Sequence, residues 1–301
     1  MSSQVGRDVK YEPRFSLTFI GGSLPMAQIY FTDTEGIGPS ARVWNKINCP
    51  SGSGFFRTRG EGNPAYGFFD DFVSFSETTL TGGYVHLETN GATVAQIAST
   101  VDAPGVVRLT ANADAEEAVL QLGNALDVGP FRFQKDLAFE CRVRVNAAAI
   151  VAGDHGFFVG LANGGASGAG TAGVLFAADV LGATDVVGFQ HLVGESTALD
   201  AVYLLSGGTV MDGSQDTDLD TVETLVADTW VKLGFRYYHY PRKLEWFVNG
   251  VKEAEIGETE IAAAAFPDAD ADFMQPTIGL APADATAANL DIDWWACAQL
   301  Y

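Results

Sequence analysis

Basic residues and cysteines are scarce in this sequence, and each shortage excludes a class of protein. Among 301 residues, 17 lysines and arginines stand against 38 aspartates and glutamates, which gives a formal net charge of −21. A field of that sign repels phosphate backbones, so we expect no nucleic-acid partner. The three cysteines are an odd number in a long chain, unlike the paired cysteines of a small secreted protein held together by disulfides.

Long apolar segments are absent as well. Nowhere does the sequence contain the roughly eighteen consecutive apolar residues that a membrane-spanning helix needs. Its N-terminal segment, MSSQVGRDVKYEPRF, lacks the apolar stretch of a secretory signal. We therefore expect a protein that is made in a cytoplasm, carries no export signal and has no membrane partner.

Catalytic motifs are also missing. No serine has glycine both two residues before and two residues after it, and no cysteine and histidine have the spacing of a zinc site. Glycoside hydrolysis needs two carboxylates that face one cleft about 5–10 Å apart. Glu140 is instead followed on its predicted strand face by Arg142, and Asp291 and Asp293 are followed on theirs by Trp295. The sequence predicts that the protein is not an enzyme.

The pattern that the sequence does contain is strand alternation, which is clearest at residues 229–256. Val231–Tyr238 alternates apolar residues with polar or small ones, the period of a strand with one buried face. After a turn at residues 240–242, residues 244–248 repeat the alternation. Asn249-Gly250 is typical of a two-residue type I′ hairpin, because both positions take positive φ, and Val251–Ile256 returns. Three antiparallel strands are predicted here.

Further short strands, separated by turn residues, are predicted from residue 66 to the C-terminus. Their number, without interposed helices, favours a two-sheet sandwich. Residues 1–56 differ, because glycine and proline interrupt every short apolar piece. We predict an all-β fold with two domains: a two-sheet antiparallel jelly-roll sandwich at residues 57–301, and an extended N-terminal arm at residues 1–56 that docks on its own domain or on a neighbour.

Four segments together resemble a known superfamily. They are the hairpins at residues 229–256, FDDF at 69–72, FFVGL at 157–161 and DIDWW at 291–295. Together they are similar to the concanavalin A-like lectin/glucanase superfamily, and more narrowly to laminin G-type jelly rolls of tailed-bacteriophage structural proteins. The resemblance covers about residues 66–301 and implies the sandwich fold. The hydrolases of the family carry Glu-x-Asp-x-x-Glu or Glu-x-Asp-x-Glu on one strand, and this chain lacks both patterns.

Carbohydrate binding would use exposed aromatic rings against the apolar faces of sugars. The densest aromatic cluster of the chain lies at the first turn of the 229–256 region. Strand alternation assigns about half of this cluster to the core. It leaves Tyr238, His239 and Tyr240 as candidate sugar-binding residues at the rim, while packing remains the alternative role for them.

Metal binding is considered for one acidic loop. Asp212, Asp216, Asp218 and Asp220 place carboxylates at mostly alternate positions, as calcium loops do. Counted from Asp216, the EF-hand pattern fails, because Thr221 stands where glycine is required. The resemblance implies calcium at the rim, but a solvated acidic loop remains the alternative. No other cofactor is expected.

Two classes of function remain open. The first is a virion structural protein, in particular a capsid decoration, cement or head-surface protein attached through its arm. Its partners would be capsid or other virion proteins and copies of itself, and it would be assembled into the virion in the host cytoplasm. The second is a carbohydrate-binding module for adhesion to the host surface, or a glycan-degrading tail protein. Copy number in the particle separates the two.

Overall fold

A computed structural model describes residues 38–44, 47, 54–57, 65–73, 75, 83–97, 105–113, 116–123, 130–150, 155–164, 176–177, 180–181, 185–192, 197–206, 208–213, 216–263, 266–268, 273–282 and 286–301. The chain divides into two units, Met1–Tyr30 and Phe31–Tyr301, and every described residue belongs to the second. Its strands are accompanied by the α-helix α1 (Glu258–Ala263) and a 3-10 turn at Ala148–Ile150. Within the described ranges no helix has the length and apolar character needed to span a bilayer.

Within the described residues, the larger of the two main sheets has nine antiparallel strands. Its central path runs β1-β2-β18-β7-β14-β15-β16, and β5 pairs with both β18 and β4. Because β18, the closing strand, pairs with β2, β5 and β7, it holds the early and late parts of the chain together. The strands are β1 (Gly54–Arg57), β2 (Ala65–Asp70), β4 (Thr93–Gln96), β5 (Val107–Ala111), β7 (Leu137–Val145), β14 (Val231–Tyr238), β15 (Lys243–Val248), β16 (Val251–Ile256) and β18 (Ala288–Leu300).

The second main sheet has seven antiparallel strands in the order β13-β12-β11-β8-β17-β6-β3. A separate two-stranded hairpin, β9 with β10, lies in the chain between β8 and β11. The strands are β3 (Tyr84–Glu88), β6 (Ala118–Leu122), β8 (His155–Asn163), β9 (Phe176–Ala177), β10 (Val180–Leu181), β11 (Val186–His191), β12 (Ala198–Leu204), β13 (Glu223–Thr224) and β17 (Met274–Pro282).

The core lies between the two sheets and is built from the inward residues of both. Trp246 and Trp295 of the nine-stranded sheet are fully buried, and the indole nitrogen of Trp246 donates to the Gly188 carbonyl of the other sheet at 2.9 Å. Asn249 and Gly250 have φ values of 49° and 75°, as a type I′ turn requires. The predicted all-β jelly-roll sandwich and its hairpins are therefore confirmed.

A β-bulge changes which side of the sheet the closing strand presents. The pairing of β18 with β7 shifts between Ile292 and Trp294. As a result Asp291 lies outward, against arginines, while Trp295 lies in the core. The prediction that Asp291 and Trp295 share a face is wrong, because the extra residue of a bulge inverts the alternation that follows it.

A short segment before the sandwich covers part of the nine-stranded sheet from outside. Residues 38–44 and 47, hereafter the docked segment, place Val43, Trp44 and Ile47 in an apolar cluster on that outer face, where none is more than 8% exposed. The boundary between arm and sandwich at residue 56 stays a prediction. Strand β1, which pairs with β2, spans that position.

Glu140 is the main polar anchor of the docked segment. Its Oε2 atom accepts hydrogen bonds from the Ser40 backbone N–H and from the Trp44 indole N–H, both at 2.8 Å. Burial raises the pKa of Glu140, and the two hydrogen bonds and the nearby Lys232 ammonium lower it in part. Lys232 also donates to the Gly38 carbonyl at 3.0 Å. The sheet therefore binds this segment through its backbone at Gly38 and Ser40 and through the side chain of Trp44.

Candidate functional site

The structure separates the three predicted sugar-binding residues. Tyr238 is only 8% exposed, because the Arg236 guanidinium lies 4.7 Å and the Lys243 ammonium 5.0 Å from its ring centroid. Arg236 in turn donates to the backbone carbonyl of Arg42 in the docked segment. Strand alternation places Tyr238 on the outer face, as expected. Its predicted exposure is wrong, because charged side chains cover that face.

His239 and Tyr240 are exposed, and they lie in the turn that joins β14 to β15. Tyr240 is 90% exposed, the largest fraction among the large hydrophobic residues described. The Tyr240-Pro241 peptide bond is cis. The His239 backbone N–H donates to Asp136 Oδ1 at 2.8 Å, which ties the turn to the segment before β7. The turn therefore presents the exposed ring of Tyr240 at the rim of the sandwich, where it can contact a ligand.

Charged groups belong to the same turn or are bonded to it. Arg242, two residues further on, forms an ion pair with Asp268, and both side chains are about one-third exposed or less. Asp136 accepts from the backbone of His239, so two carboxylates and a guanidinium are linked to the turn that carries Tyr240. We call Asp136, His239, Tyr240, Arg242 and Asp268 the rim cluster. An aromatic face next to donors and acceptors of hydrogen bonds is the chemistry that binds a sugar ring and its hydroxyls.

The four predicted metal ligands are not assembled into one site. Asp212 is buried and accepts a hydrogen bond from Gln190 Nε2 at 2.8 Å. Asp216 accepts from the Asp218 backbone N–H at 3.0 Å, and Asp220 accepts from a neighbouring hydroxyl at 2.8 Å. Within the part of the chain that is described, no three Asp, Glu, His or Cys side chains are grouped so that they could hold a metal. Calcium binding by this loop stays a prediction.

The acidic loop has a buried neighbour that sequence reasoning missed. Asp200 on β12 is 2% exposed and accepts from the Thr221 backbone N–H at 2.8 Å. Burial raises the pKa of Asp200, the hydrogen bond from Thr221 opposes this, and the carboxylates of Asp220 and Asp212 raise it further. The only signal was its polar position between Leu199 and Ala201, just before the predicted start of the strand.

The outer face of the seven-stranded sheet carries neutral amides that sequence reasoning also missed. Gln121 on β6 lies opposite Thr277 on β17, and its Nε2 donates to Thr277 Oγ1 at 2.8 Å. Gln190 lies beside Asp200 on the neighbouring strand. Single glutamines within apolar strands give little signal in a sequence, because one polar residue at an outward position is normal.

On the outer face of the nine-stranded sheet, the strand acids are paired with arginines. Asp291 is bonded by Arg108 and by Arg144, each at 2.6 Å, and Arg142 bonds Asp293 at 2.6 Å. A guanidinium bonded to each carboxylate occupies its oxygens. These acids are therefore held in ion pairs within the chain.

Similar proteins are found among solved structures, and these share the fold of this chain. No protein-family model matches the sequence, and no curated protein matches it. Among solved structures, a protein of unknown function from Shewanella oneidensis MR-1 has a TM-score of 0.50 at 14% identity, over 81% of this chain and 90% of that one. The carbohydrate recognition domain of Emp47p has a TM-score of 0.50 at 14% identity, over 77% and 94%. The chain shares a jelly-roll fold with these two structures.

The prediction that this protein is not an enzyme is wrong as an inference from its motifs. Similar structures include the endo-β-1,4-glucuronan lyase of Trichoderma reesei, a β-glucanase of Bacillus licheniformis and a carbohydrate esterase of bacteriophage phi24B, at TM-scores of 0.48, 0.44 and 0.42. One fold can carry many unrelated activities, so a missing hydrolase motif does not exclude an enzyme. At identities of 10–17% the likeness shows the fold alone and assigns no activity.

Proposed function

We propose that this protein is a lectin-like carbohydrate-binding domain and that its rim cluster binds the glycan. Tyr240 is the observation that carries the proposal, since its ring is 90% exposed in a turn that is bonded to Asp136 and also carries Arg242. The apolar face of a sugar ring would stack on the phenol, while Asp136, Asp268 and Arg242 would bond its hydroxyls. The similarity to a carbohydrate recognition domain in fold supports the proposal.

The net charge of the protein narrows the class of glycan that it can bind. A net charge of −21 and the two carboxylates of the rim cluster repel glycans that carry many negative charges. Neutral glycans, or glycans with amino groups, fit this environment. An array of neutral, amino and sulfated or uronic glycans tests the proposal, and we expect binding in the first two classes. Absence of any signal above background would reject it.

A matched pair of variants locates the site. In Tyr240→Ala the loss of stacking should weaken binding about tenfold. Tyr301→Ala, the matched control, removes another exposed aromatic ring (53% exposed) from the C-terminus, and should bind as the unchanged protein does. Isothermal titration calorimetry on a glycan from the array measures both. Equal affinities for the two variants would place the site elsewhere.

We propose further that this domain acts on the surface of a virion, with capsid or other virion proteins and copies of itself as partners. Two observations favour it. The sequence resembles phage structural jelly rolls, and the docked segment is anchored to its own sandwich by Glu140 and Trp44, which gives an arm a fixed attachment point. Cryo-EM of the intact particle tests this proposal. Density for the sandwich on the particle surface is expected, and its absence from purified particles would exclude the role.

A further inference from the structure

The outer face of the seven-stranded sheet contains a buried amide that makes no hydrogen bond. Gln275 on β17 is 0% exposed, and neither its Nε2 nor its Oε1 has a hydrogen-bond partner among the described residues. A primary amide offers two donors and two acceptor lone pairs. Folding removes all of these from water without replacing the lost bonds, which is unfavourable. Such groups are rare in native proteins, and a bound polar molecule is one explanation for them.

The polar neighbours of Gln275 are already satisfied. Gln121 Nε2 donates to Thr277 Oγ1 at 2.8 Å and to the Asn163 carbonyl at 2.9 Å. The hydroxyl of Thr277 donates to the backbone oxygen of Gln275 at 2.9 Å. Both amide hydrogens of Gln121 and the one hydroxyl hydrogen of Thr277 are therefore used. Neither side chain therefore has a hydrogen left to donate to Gln275 Oε1.

The residues that flank Gln275 across the sheet are small. Ala162 is its register partner on β8. On the other side lies Gly123, where a built Cβ would stand 2.6 Å from both the amide carbon and Nε2 of Gln275. Gly123 has a φ of +119°, which side chains rarely adopt. Neither neighbour therefore offers a polar side chain to the amide. The amide of Gln275 occupies the space that a side chain at position 123 would need.

We propose that Gln275 is a ligand-recognition residue that binds two neighbouring hydroxyls of a neutral sugar, enclosed against this face of the sheet. One hydroxyl donates to Oε1 and the other accepts from Nε2, so a vicinal diol satisfies both ends of the amide. A charged ligand does not fit, because Gln121, Thr277 and Gln275 are all neutral and would leave its charge uncompensated in a buried place. The choice of a sugar rests on the proposed function, while the site rests on the amide.

This site differs from the rim cluster in its kinetics. Gln275 has no exposed surface, so association requires a change in structure and is slow compared with encounter at an open site. Tyr240, at 90% exposure, allows fast exchange. Titration followed by NMR should therefore show two components, a fast one that is lost in Tyr240→Ala and a slow one that is lost when Gln275 is replaced.

The test measures thermal stability with and without sugar. Replacing an unsatisfied buried amide by an apolar side chain of similar size removes its desolvation penalty. Gln275→Leu is therefore expected to raise the Tm of the ligand-free protein by about 2–6 °C. The same variant should lose the slow NMR component. A panel of neutral mono- and disaccharides should also raise its Tm by less than it raises the Tm of the unchanged protein. The matched control, Gln121→Leu, removes a bonded amide from the adjacent strand and should lower the Tm.

Each other result rejects the proposal. If Gln275→Leu has a lower Tm and an unchanged response to the sugars, an ordered water satisfies the amide and no ligand is involved. If the unchanged protein shows no slow component, while Tyr240→Ala loses the fast component, the glycan binds at the rim cluster but not at Gln275. If no sugar of the panel binds at all, both sites fail. Gln275→Met, nearly equal in length, replaces the leucine variant if the latter does not fold.

Discussion

The outer faces of the two sheets use their polar groups in opposite ways. On the nine-stranded sheet, charged side chains find partners within the chain: Asp291 bonds Arg108 and Arg144, and Glu140 bonds the docked segment. On the seven-stranded sheet the outward side chains at β6 and β17 are neutral, and the amide of Gln275 has no hydrogen-bond partner among the described residues.

The difference indicates that the paired charges of the nine-stranded sheet stabilise the fold, whereas the Gln275 amide of the seven-stranded sheet binds a ligand. Charges that are paired internally stabilise the folded chain, and removing one partner leaves the other uncompensated. An amide that is buried without a partner costs stability, so its retention points to binding. Substitutions of the paired charges on the nine-stranded sheet should therefore act on stability, whereas replacing Gln275 on the seven-stranded sheet should act on binding.

The largest effect is expected from Glu140→Ala. The substitution leaves the Ser40 N–H and the Trp44 indole N–H without their buried acceptor, and removes the carboxylate near the Lys232 ammonium. Breaking one side of such a buried contact destabilises by about 3–5 kcal/mol. Urea unfolding measures the loss. The control Glu253→Ala removes an exposed glutamate and should change the free energy of unfolding by less than about 0.5 kcal/mol. Equal effects for the two variants would mean that the docked segment does not need Glu140.

A smaller loss is expected from Asp291→Ala, which deprives two arginines of their shared carboxylate. Asp291 is nearly buried, at 4% side-chain exposure, while Arg108 and Arg144 are 34% and 27% exposed. Because water can reach the arginines, we expect a loss of about 2 kcal/mol rather than the full buried penalty. The control is Glu255→Ala, whose pair with Lys252 is 40% and 46% exposed. Its loss should stay below about 1 kcal/mol, and a larger one would contradict this ranking.

Asp200→Asn should change how stability depends on pH. The pKa of Asp200 is raised in the folded protein, by burial first and by Asp220 and Asp212 as well. An acid with a raised pKa holds its proton more tightly when folded. Its stabilising contribution is thus complete below its unfolded pKa, near 4, and is lost as pH rises through the raised value. The variant should equal or exceed the unchanged protein in Tm at pH 7, and this advantage should shrink towards pH 4.

The opposite trend, in which the disadvantage of Asp200→Asn grows with pH, would show that the charged form of Asp200 is the stabilising one. Thermal melts at intervals between pH 4 and pH 7.5 measure it. Asp218→Asn serves as the control, because Asp218 is an exposed acid of the same loop, and its carboxylate lacks the burial that raises the pKa of Asp200.

The smallest effect on stability belongs to Tyr240→Ala. A ring that is 90% exposed contributes little to the core, so the free energy of unfolding should change by less than about 0.5 kcal/mol. Urea unfolding of the variant used for glycan titration provides the value. A loss above about 1.5 kcal/mol would mean that the turn supports the fold, and a loss of binding in this variant could no longer be assigned to stacking.

The parts of the fold that depend on local patterns could be predicted from the sequence. The hairpins of β14, β15 and β16 follow from strand alternation and from Asn249-Gly250, whose positive φ values are a local requirement. The exposure of His239 and Tyr240 follows from the other turn, between β14 and β15. These features involve neighbours along the chain, so no distant contact is needed to infer them.

The parts that depend on distant contacts could not be predicted. Tyr238 occupies an outward position and would be exposed on an isolated hairpin, but Arg236 and Lys243 cover it. The bulge in β18 inverts the face of Trp295 through one unpaired residue, which alternation cannot show. The isolation of the Gln275 amide depends on bonds made by Gln121 on another strand. In each case the sequence offers a polar or aromatic residue, and only the packing decides its role.

The most direct test of the central claim is a crystal structure of the protein with a glycan selected by the array. The account predicts a sugar ring stacked on the phenol of Tyr240, with hydroxyls bonded to Asp136, Asp268 or Arg242. A glycan that binds with full affinity and leaves the rim cluster untouched, or a chain that binds no glycan of any class, would contradict it.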